Sequence, residues 1–160
     1  MPGMSEPPDL VVRRARPDEA EAVGRLLHEF NLEFEEPTPG PLVLADRIGP
    51  LLGSDETAVL LAGPGPDGLA LLRFRPSIWA EGLECYLAEL YVAPRHRGRG
   101  LGRALMEAAI EHARRLGAAY MDLNTGEDDV AARRLYESLG FSHREGRPQG
   151  PINLYYEREL

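Results

Sequence analysis

Residues 87–116 read LAELYVAPRHRGRGLGRALMEAAIEHARRL and predict a strand, a turn rich in arginine and glycine, and then a helix. The helix begins without the Ser, Thr, Asp or Asn that usually caps a helix N-terminus, and its first acid is Glu107. A helix start carries about four backbone N–H groups without internal acceptors and a partial positive charge. We therefore expect an anion from outside the chain at this point, and a phosphate suits both features.

The turn Arg97–Arg103 alternates arginine with glycine. Gly98, Gly100 and Gly102 carry no Cβ and let a bulky ligand approach the backbone, while the arginines surround it with positive charge. A solvated basic loop is the alternative, but the position between a strand and an amphipathic helix favours an anion site. No Gly-Lys-Ser/Thr follows, which argues against a Walker A loop and an ATPase.

The composition is that of an ordinary globular protein, with 43% hydrophobic and 28% charged residues in a chain of 160. We predict a disordered lead-in over residues 1–8 and a single domain over 9–160. No apolar run reaches the roughly 18–20 residues of a membrane span, and the start lacks the features of a secretory signal. The single cysteine, Cys85, cannot form an internal disulfide, and we expect a cytoplasmic protein.

The net charge is −8, although residues 95–103 contribute four arginines and no acid, so the positive charge is local. A nucleic-acid-binding protein is more often basic overall. We therefore expect no nucleic-acid partner and no membrane partner. An acidic body with one cationic pocket suits a small polyanionic ligand together with a cationic second substrate.

Hydrophobic spacing and turn residues predict helices alternating with strands. The predicted helices begin near Pro17 and cover 42–52, 101–116 and 130–139. The predicted strands cover 10–14, 57–62, 69–75, 83–92, 118–123, 141–144 and 152–159. This order predicts an α+β domain in which about four helices flank a mixed, mostly antiparallel central sheet with one parallel crossover.

A second glycine-rich segment, Gly63–Gly68, reads GPGPDG and has the letters of the dinucleotide-binding motif G-x-G-x-x-G. That motif requires a helix directly after it, whereas a strand, LALLRF, follows here. Its two prolines also remove N–H groups that would hold a phosphate. We predict a hairpin turn without a cofactor.

The chain resembles the GCN5-related N-acetyltransferases (GNAT) over about residues 83–143. Arg97-x-x-Gly100-x-Gly102 is similar to the R/Q-x-x-G-x-G/A signature of that family, and Leu90-Tyr91-Val92-Ala93-Pro94 is similar to the strand before it. The later segment 132–141, ARRLYESLGF, is also similar. The resemblance implies a GNAT-like acyl-CoA N-acyltransferase fold.

The resemblance also implies acetyl-CoA as the donor of an acetyl group. In the family, backbone amides of the turn hold the pyrophosphate, and the end of the preceding strand pairs with the pantetheine. Tyr136 lies at the position of the proton donor to the departing thiolate. The implied cofactor-binding residues are Leu90, Tyr91, Val92, Arg97, Gly98, Arg99, Gly100, Leu101, Gly102, Arg103, Asn124 and Asp129.

The general base is less well defined. Ribosomal-protein acetyltransferases of the family carry a glutamate where this chain has Asn124, and asparagine cannot accept the proton. Glu89, on the strand beside the expected thioester, is our first candidate and Glu84 the second; each could equally be a solvated strand residue. Cys85 has no neighbouring histidine in sequence, so we expect direct transfer without an acyl-enzyme.

We expect the acceptor to be a primary amine on a small cationic molecule. A protein lysine, a protein N-terminus and a non-catalytic acyl-CoA sensor are the alternatives, and a homodimer is left open. Glu33, Glu35, Glu36 and the aromatic Trp79 are candidates to receive the cation, or are simply solvated. The four histidines are scattered, and we predict no metal site.

Overall fold

The computed structural model describes residues 10–160, and the predicted lead-in 1–8 lies outside them. The chain divides into two compact units, the first ending at Asp122 and the second beginning at Leu123. Whether residues 9–160 form a single domain stays a prediction. Within residues 10–160, no helix has the length and apolar character needed to cross a bilayer.

Over the described residues 10–122, the first unit contains a five-stranded sheet and three α-helices. The strands lie side by side in chain order, and all neighbours are antiparallel except the parallel pair of the fourth and fifth. This arrangement confirms the predicted fold class. The strands are β1 (Val12–Arg14), β2 (Thr57–Ala62), β3 (Gly68–Pro76), β4 (Leu83–Val92) and β5 (Ala118–Asp122); the helices are α1 (Ala20–Glu33), α2 (Pro41–Leu52) and α3 (Leu101–Arg115), with 3₁₀ turns at Pro17–Glu19 and Pro94–His96.

The sheet is covered on both faces, which explains why every residue of β2 is buried. Alternate side chains of a strand point to opposite faces. Those of Val59, Leu61, Leu69, Leu71 and Tyr91 form one core with α1 and α2. On the other face lies α3, whose inward stripe is fully buried at Leu101, Leu105, Met106, Ala109 and Ala113.

The two halves of β4 are paired differently. From Leu83 to Tyr86 the strand lies between β3 and β5, whereas the β5 register stops at Tyr86. Further along, the register against β3 slips by one residue, because Leu71 faces Glu89 but Leu72 faces Leu87. Ala88 is therefore the extra residue of a β-bulge, a feature that bends a strand and increases its twist.

The second unit contains α4 (Val130–Ser138) and a long irregular segment. The predicted strands over 141–144 and 152–159 are wrong, because the described chain forms only one isolated bridge there, between Arg144 and Ile152. The residues between them include glycines and prolines that shape turns instead of a ladder. Beyond Ile152 the apolar side chains stay exposed, so their alternation finds no neighbouring strand within this unit.

Candidate functional site

The second half of β4 presents backbone groups at an open edge. Ala93 N–H donates to the Asp67 carbonyl at 2.8 Å, and hydrogen bonding alternates along an antiparallel pair. Counting back from Ala93, the backbone groups of Leu90 and Val92 therefore point away from β3. That is the side on which β5 has ended. A polar strand edge is a ready partner for an extended ligand.

The turn after this strand carries donors without protein acceptors. Gly98 and Gly100 adopt left-handed conformations with φ of 75° and 86°, and Gly100 is the N-cap of α3 without a side-chain cap. Within residues 10–160, the structure provides no hydrogen-bond acceptor for the backbone amides from Gly98 to Gly102. These exposed amides, together with the start of the helix dipole, can hold an anion.

The side chain of Arg97 lies along the β4 edge. Its Nε donates to the Val92 carbonyl at 2.9 Å, and its guanidinium pairs with the Glu33 carboxylate at the end of α1. The guanidinium carbon also lies 5.9 Å from the centre of the Tyr91 ring. In this conformation Arg97 joins the turn to the strand edge and to α1.

The other two arginines of the turn are exposed. Arg103 Nη1 lies 3.9 Å from Glu107 Oε1 along the same helix face, and Arg99 lies on the surface of the turn. An exposed pair at this distance contributes little to stability.

The structure separates the two candidate bases. Glu89 lies opposite Leu71, on the sheet face that α1 and α2 cover. Burial raises the pKa of its carboxyl, and no hydrogen bond or ion pair to it occurs within residues 10–160. Glu84 is instead held by Arg75, with Nε 2.6 Å from its Oε2. The Glu84 carboxylate is already engaged by a guanidinium and lies in the half of β4 that β5 covers, so the geometry favours Glu89.

The remaining predicted residues belong to the second unit. Tyr136 is 8% exposed, and its burial, with a smaller effect of the Asp129 charge, raises its pKa to about 12. Its ring packs edge-on against Phe141. Asp129 caps α4, since its Oδ1 accepts from Ala132 N–H at 3.1 Å. Asn124 is exposed in the loop before that cap.

Not every candidate lies near the open edge of β4. Trp79 is 90% exposed at the tip of the β3–β4 hairpin, at the opposite end of β4 from Val92. A ten-residue strand separates the two ends by about 30 Å. Among residues 10–160, no three His, Cys, Asp or Glu side chains group in a way that could hold a metal ion.

Sequence reasoning missed one contact beside the turn. His96 Nε2 lies 3.1 Å from Oδ1 of Asp67, a buried residue of the Gly63–Gly68 hairpin. The sequence predicts this hairpin only as a turn without a cofactor, and the four histidines only as scattered residues without a metal site. The β3–β4 pairing offered a signal, because it brings the residue before β3 opposite the residue after β4.

Comparison with known proteins identifies the family. Residues 19–141 match the profile of the Acetyltransferase (GNAT) family. The chain belongs to this family. The match includes the open edge of β4, the turn and α4, and it confirms the family predicted from the sequence.

Individual relatives agree with this assignment. A mycothiol acetyltransferase of Thermobispora bispora is 35% identical over 147 residues, which cover 88% of this chain and 44% of that protein. A streptothricin acetyltransferase of Streptomyces lavendulae is 29% identical over 81% of this chain and 80% of its own length. The chain thus spans less than half of the mycothiol acetyltransferase.

A crystal structure of a protein assigned as an acetyltransferase, from Arthrobacter sp. FB24, superposes with a TM-score of 0.86. It is 46% identical and covers 94% of this chain and 96% of its own. An aminoglycoside acetyltransferase from an uncultured soil metagenomic sample shares the fold at 17% identity, with a TM-score of 0.74 and coverage of 93% and 96%. The family match and the 46%-identical structure support the predicted enzyme class, an acyltransferase, and GNAT acetyltransferases use acetyl-CoA as co-substrate.

Proposed function

We propose that this protein is an N-acetyltransferase that moves an acetyl group from acetyl-CoA to a primary amine, by direct transfer in a ternary complex. One observation carries the proposal: a strand edge that β5 does not cover, at Leu90 and Val92, leads directly into a turn whose amides from Gly98 to Gly102 have no acceptor within residues 10–160. The extended pantetheine arm, which carries the thioester, requires a strand edge with which to pair. The diphosphate requires free amide donors, and the chain provides them directly after the strand edge.

In the proposed complex, amides from Gly98 to Arg103 hold the diphosphate of acetyl-CoA. The pantetheine lies along Leu90–Val92 as an added strand, a mode in which backbone hydrogen bonds supply much of the affinity. The Val92 N–H, which points away from β3, donates to the thioester carbonyl. That donor stabilises the negative charge that develops on the oxygen during attack.

The chemistry needs one base and one acid. An alkylammonium has a pKa near 10.4, so the acceptor must lose a proton before its nitrogen attacks the thioester carbon. Glu89 takes that proton, and the pKa that burial raises makes its carboxylate a stronger base than an exposed one. When the tetrahedral intermediate collapses, the C–S bond breaks and Tyr136 protonates the sulfur. The nitrogen loses its second proton to solvent, and the tyrosinate regains one from solvent, which leaves the amide, CoA thiol and a neutral Tyr136. Its raised pKa keeps the hydroxyl protonated at neutral pH.

For the acceptor, we propose a small cationic molecule. Relatives named for mycothiol and streptothricin support a small molecule over a protein substrate. The negative net charge of the chain and the acids Glu35 and Glu36 in the exposed loop after α1 favour a cation. Asn124 stands where a relative acting on ribosomal proteins would use a glutamate base.

The first test is binding. Acetyl-CoA should raise the melting temperature, since a ligand selective for the native state stabilises it. No shift at millimolar acetyl-CoA would contradict the proposal. Turnover is then measured as CoA release across polyamines, amino acids, aminoglycosides and peptides. Release with peptides alone would replace the small-molecule acceptor by a protein, and binding without any release would identify a sensor.

A further inference from the structure

The hairpin Gly63–Gly68 surrounds a buried charge. Asp67 is 6% exposed, although aspartate is almost never buried unless it is paired. Its neighbours make room for it, because a Cβ added to Gly63 or Gly65 would overlap the Asp67 carboxylate oxygens. A Cβ at either glycine would therefore displace the Asp67 carboxylate from its present position.

Asp67 contacts the segment that connects β4 to the turn at two points. Its carbonyl accepts from Ala93 N–H at 2.8 Å, and its Oδ1 lies 3.1 Å from His96 Nε2. Ala93 precedes the 3₁₀ turn Pro94–His96, and His96 is its last residue. Asp67 thus contacts both ends of the short segment that joins the open edge of β4 to Arg97.

The chemistry of the pair defines its direction. A carboxylate can only accept, so a hydrogen bond between the two side chains requires a proton on His96 Nε2. Arg95 Nε lies 3.0 Å from the same ring nitrogen and can donate to it only when that nitrogen carries no proton. In the form that bonds to Asp67, Arg95 therefore contributes positive charge beside the buried carboxylate and no hydrogen bond to the ring. His96 is only 24% exposed and is followed directly by Arg97, so a fixed imidazole also fixes the start of the turn.

We infer that Asp67, acting through His96, is a positioning residue that holds the turn Arg97–Arg103 in its ligand-binding conformation. Neither side chain touches the cofactor in this role. The pair orients the backbone amides, and its loss lets the left-handed turn at Gly98 and Gly100 relax toward other conformations. Affinity for the diphosphate falls, because several donors must then be ordered again on binding. The inference rests on the proposed function, since it concerns the same turn.

The experiment compares two substitutions at position 96. His96→Phe keeps a ring but cannot donate to Asp67, whereas His96→Gln retains an N–H donor. The acetyl-CoA Kd is measured by calorimetry, and kcat and both KM values with the amine that the CoA-release panel identifies. Glu111→Gln is the matched control, because it removes an exposed ion pair with Arg115 at the far end of α3.

We expect His96→Phe to raise the Kd and KM for acetyl-CoA about tenfold, the cost of roughly one charge-assisted hydrogen bond. The amine KM and kcat should stay within about twofold, and His96→Gln should recover most of the affinity. Amide hydrogen exchange over 98–103 in the unliganded protein should be faster in His96→Phe than in Glu111→Gln. This second measurement does not depend on turnover.

Three results would overturn the inference. One is an unchanged acetyl-CoA affinity in His96→Phe with unchanged exchange over 98–103. Another is an equal loss in kcat and both KM values, which indicates a general loss of structure. A third is a His96→Gln variant no better than His96→Phe. If the unaltered protein binds no acetyl-CoA, the proposed function itself fails, which the same calorimetry shows separately.

Discussion

The two glycine-rich turns, Gly63–Gly68 and Arg97–Arg103, differ in what satisfies their polar groups. The first has the glycine spacing of a nucleotide-binding motif, but the carboxylate of Asp67 fills its interior. The second lacks an internal anion, and the amides from Gly98 to Gly102 have no acceptor within residues 10–160. Glycine spacing alone therefore does not identify a ligand site. The deciding question is whether the chain supplies its own counter-charge.

The same distinction separates two carboxylates, one buried (Asp67) and one half-buried (Glu89). Asp67 is paired with His96, whereas Glu89 has no partner within residues 10–160. A paired charge serves the fold, and an unpaired one is retained in spite of its cost to the fold. The turn with free amides and the carboxylate without a partner, Glu89, both belong to the proposed active site.

The largest effect is expected from Tyr136→Phe, which tests the chemical step separately from ligand binding by the turn Arg97–Arg103. Tyr136→Phe removes the proposed proton donor while the turn keeps its amides. We expect kcat to fall by about 10²–10⁴, the usual contribution of general acid catalysis. The acetyl-CoA Kd should change by less than about threefold. Steady-state kinetics with calorimetry tests this, and unchanged turnover would remove Tyr136 from the mechanism.

The second largest effect is expected when a carboxylate is introduced into the turn Arg97–Arg103, where it would act as Asp67 does in the turn Gly63–Gly68. Gly98→Asp places a carboxylate there with space around the new Cβ, and aspartate tolerates the left-handed backbone. Gly98→Asn is the control of equal shape without charge. Relative to Asn, Asp should weaken acetyl-CoA binding about 100-fold, or about 2.8 kcal/mol. Equal affinities would show that the turn does not bind an anion.

A smaller effect is expected when a methyl group is added inside the turn Gly63–Gly68, beside the Asp67 carboxylate. Gly63→Ala forces a Cβ toward the Asp67 carboxylate at a φ of 79°, and we expect a loss of about 2–3 kcal/mol in the free energy of unfolding. Gly53→Ala is the control, since its φ is −91° and its nearest neighbour would lie 3.9 Å away. Urea denaturation measures both. A neutral Gly63→Ala would mean that the carboxylate moves aside freely.

The smallest effect concerns Glu89. Its raised pKa means that the folded state binds its proton more tightly, so stability falls as pH rises from the ordinary carboxyl pKa, about 4.3, through the raised value. Glu89→Gln removes this pH-dependent loss of stability, because glutamine carries no titratable proton. It should be more stable than the unaltered protein at pH 7, by less than about 1 kcal/mol, and gain nothing below pH 4.

Thermal melts across pH measure this difference, with the exposed Glu81→Gln as control. A gain that does not depend on pH would contradict the assignment. Turnover should nevertheless fall in Glu89→Gln if this carboxylate is the base.

Most of the fold was predictable, because its elements are bounded by local signals. The sequence predicts β2 and β4 to the residue, since turn residues flank each apolar run. It does not predict the bulge at Ala88, which depends on the register against a neighbouring strand. The alternation over 152–159 predicts a strand, but alternation requires a partner, and this segment gains only one bridge.

The candidate site divides in the same way. The exposed amides of the turn were predictable, because a missing N-cap is a local property of the chain. The orientation of Arg97 toward Glu33, and that of His96 toward Asp67, depend on residues 64 and 29 positions away. Motif spacing carries no information about such contacts. The Glu89 carboxyl was a candidate from its position, and the ion pair of Glu84 with Arg75, which depends on strand register, distinguishes the two carboxylates.

Cys85, the single cysteine, lies fully buried in β4, and burial raises its pKa to about 12. Maleimides and iodoacetamides react with thiolates, so the native protein is inert toward them near neutral pH. A cysteine introduced in place of the exposed Trp79 would therefore accept a fluorophore at one defined position. The protein can therefore be labelled at a chosen site without first replacing Cys85.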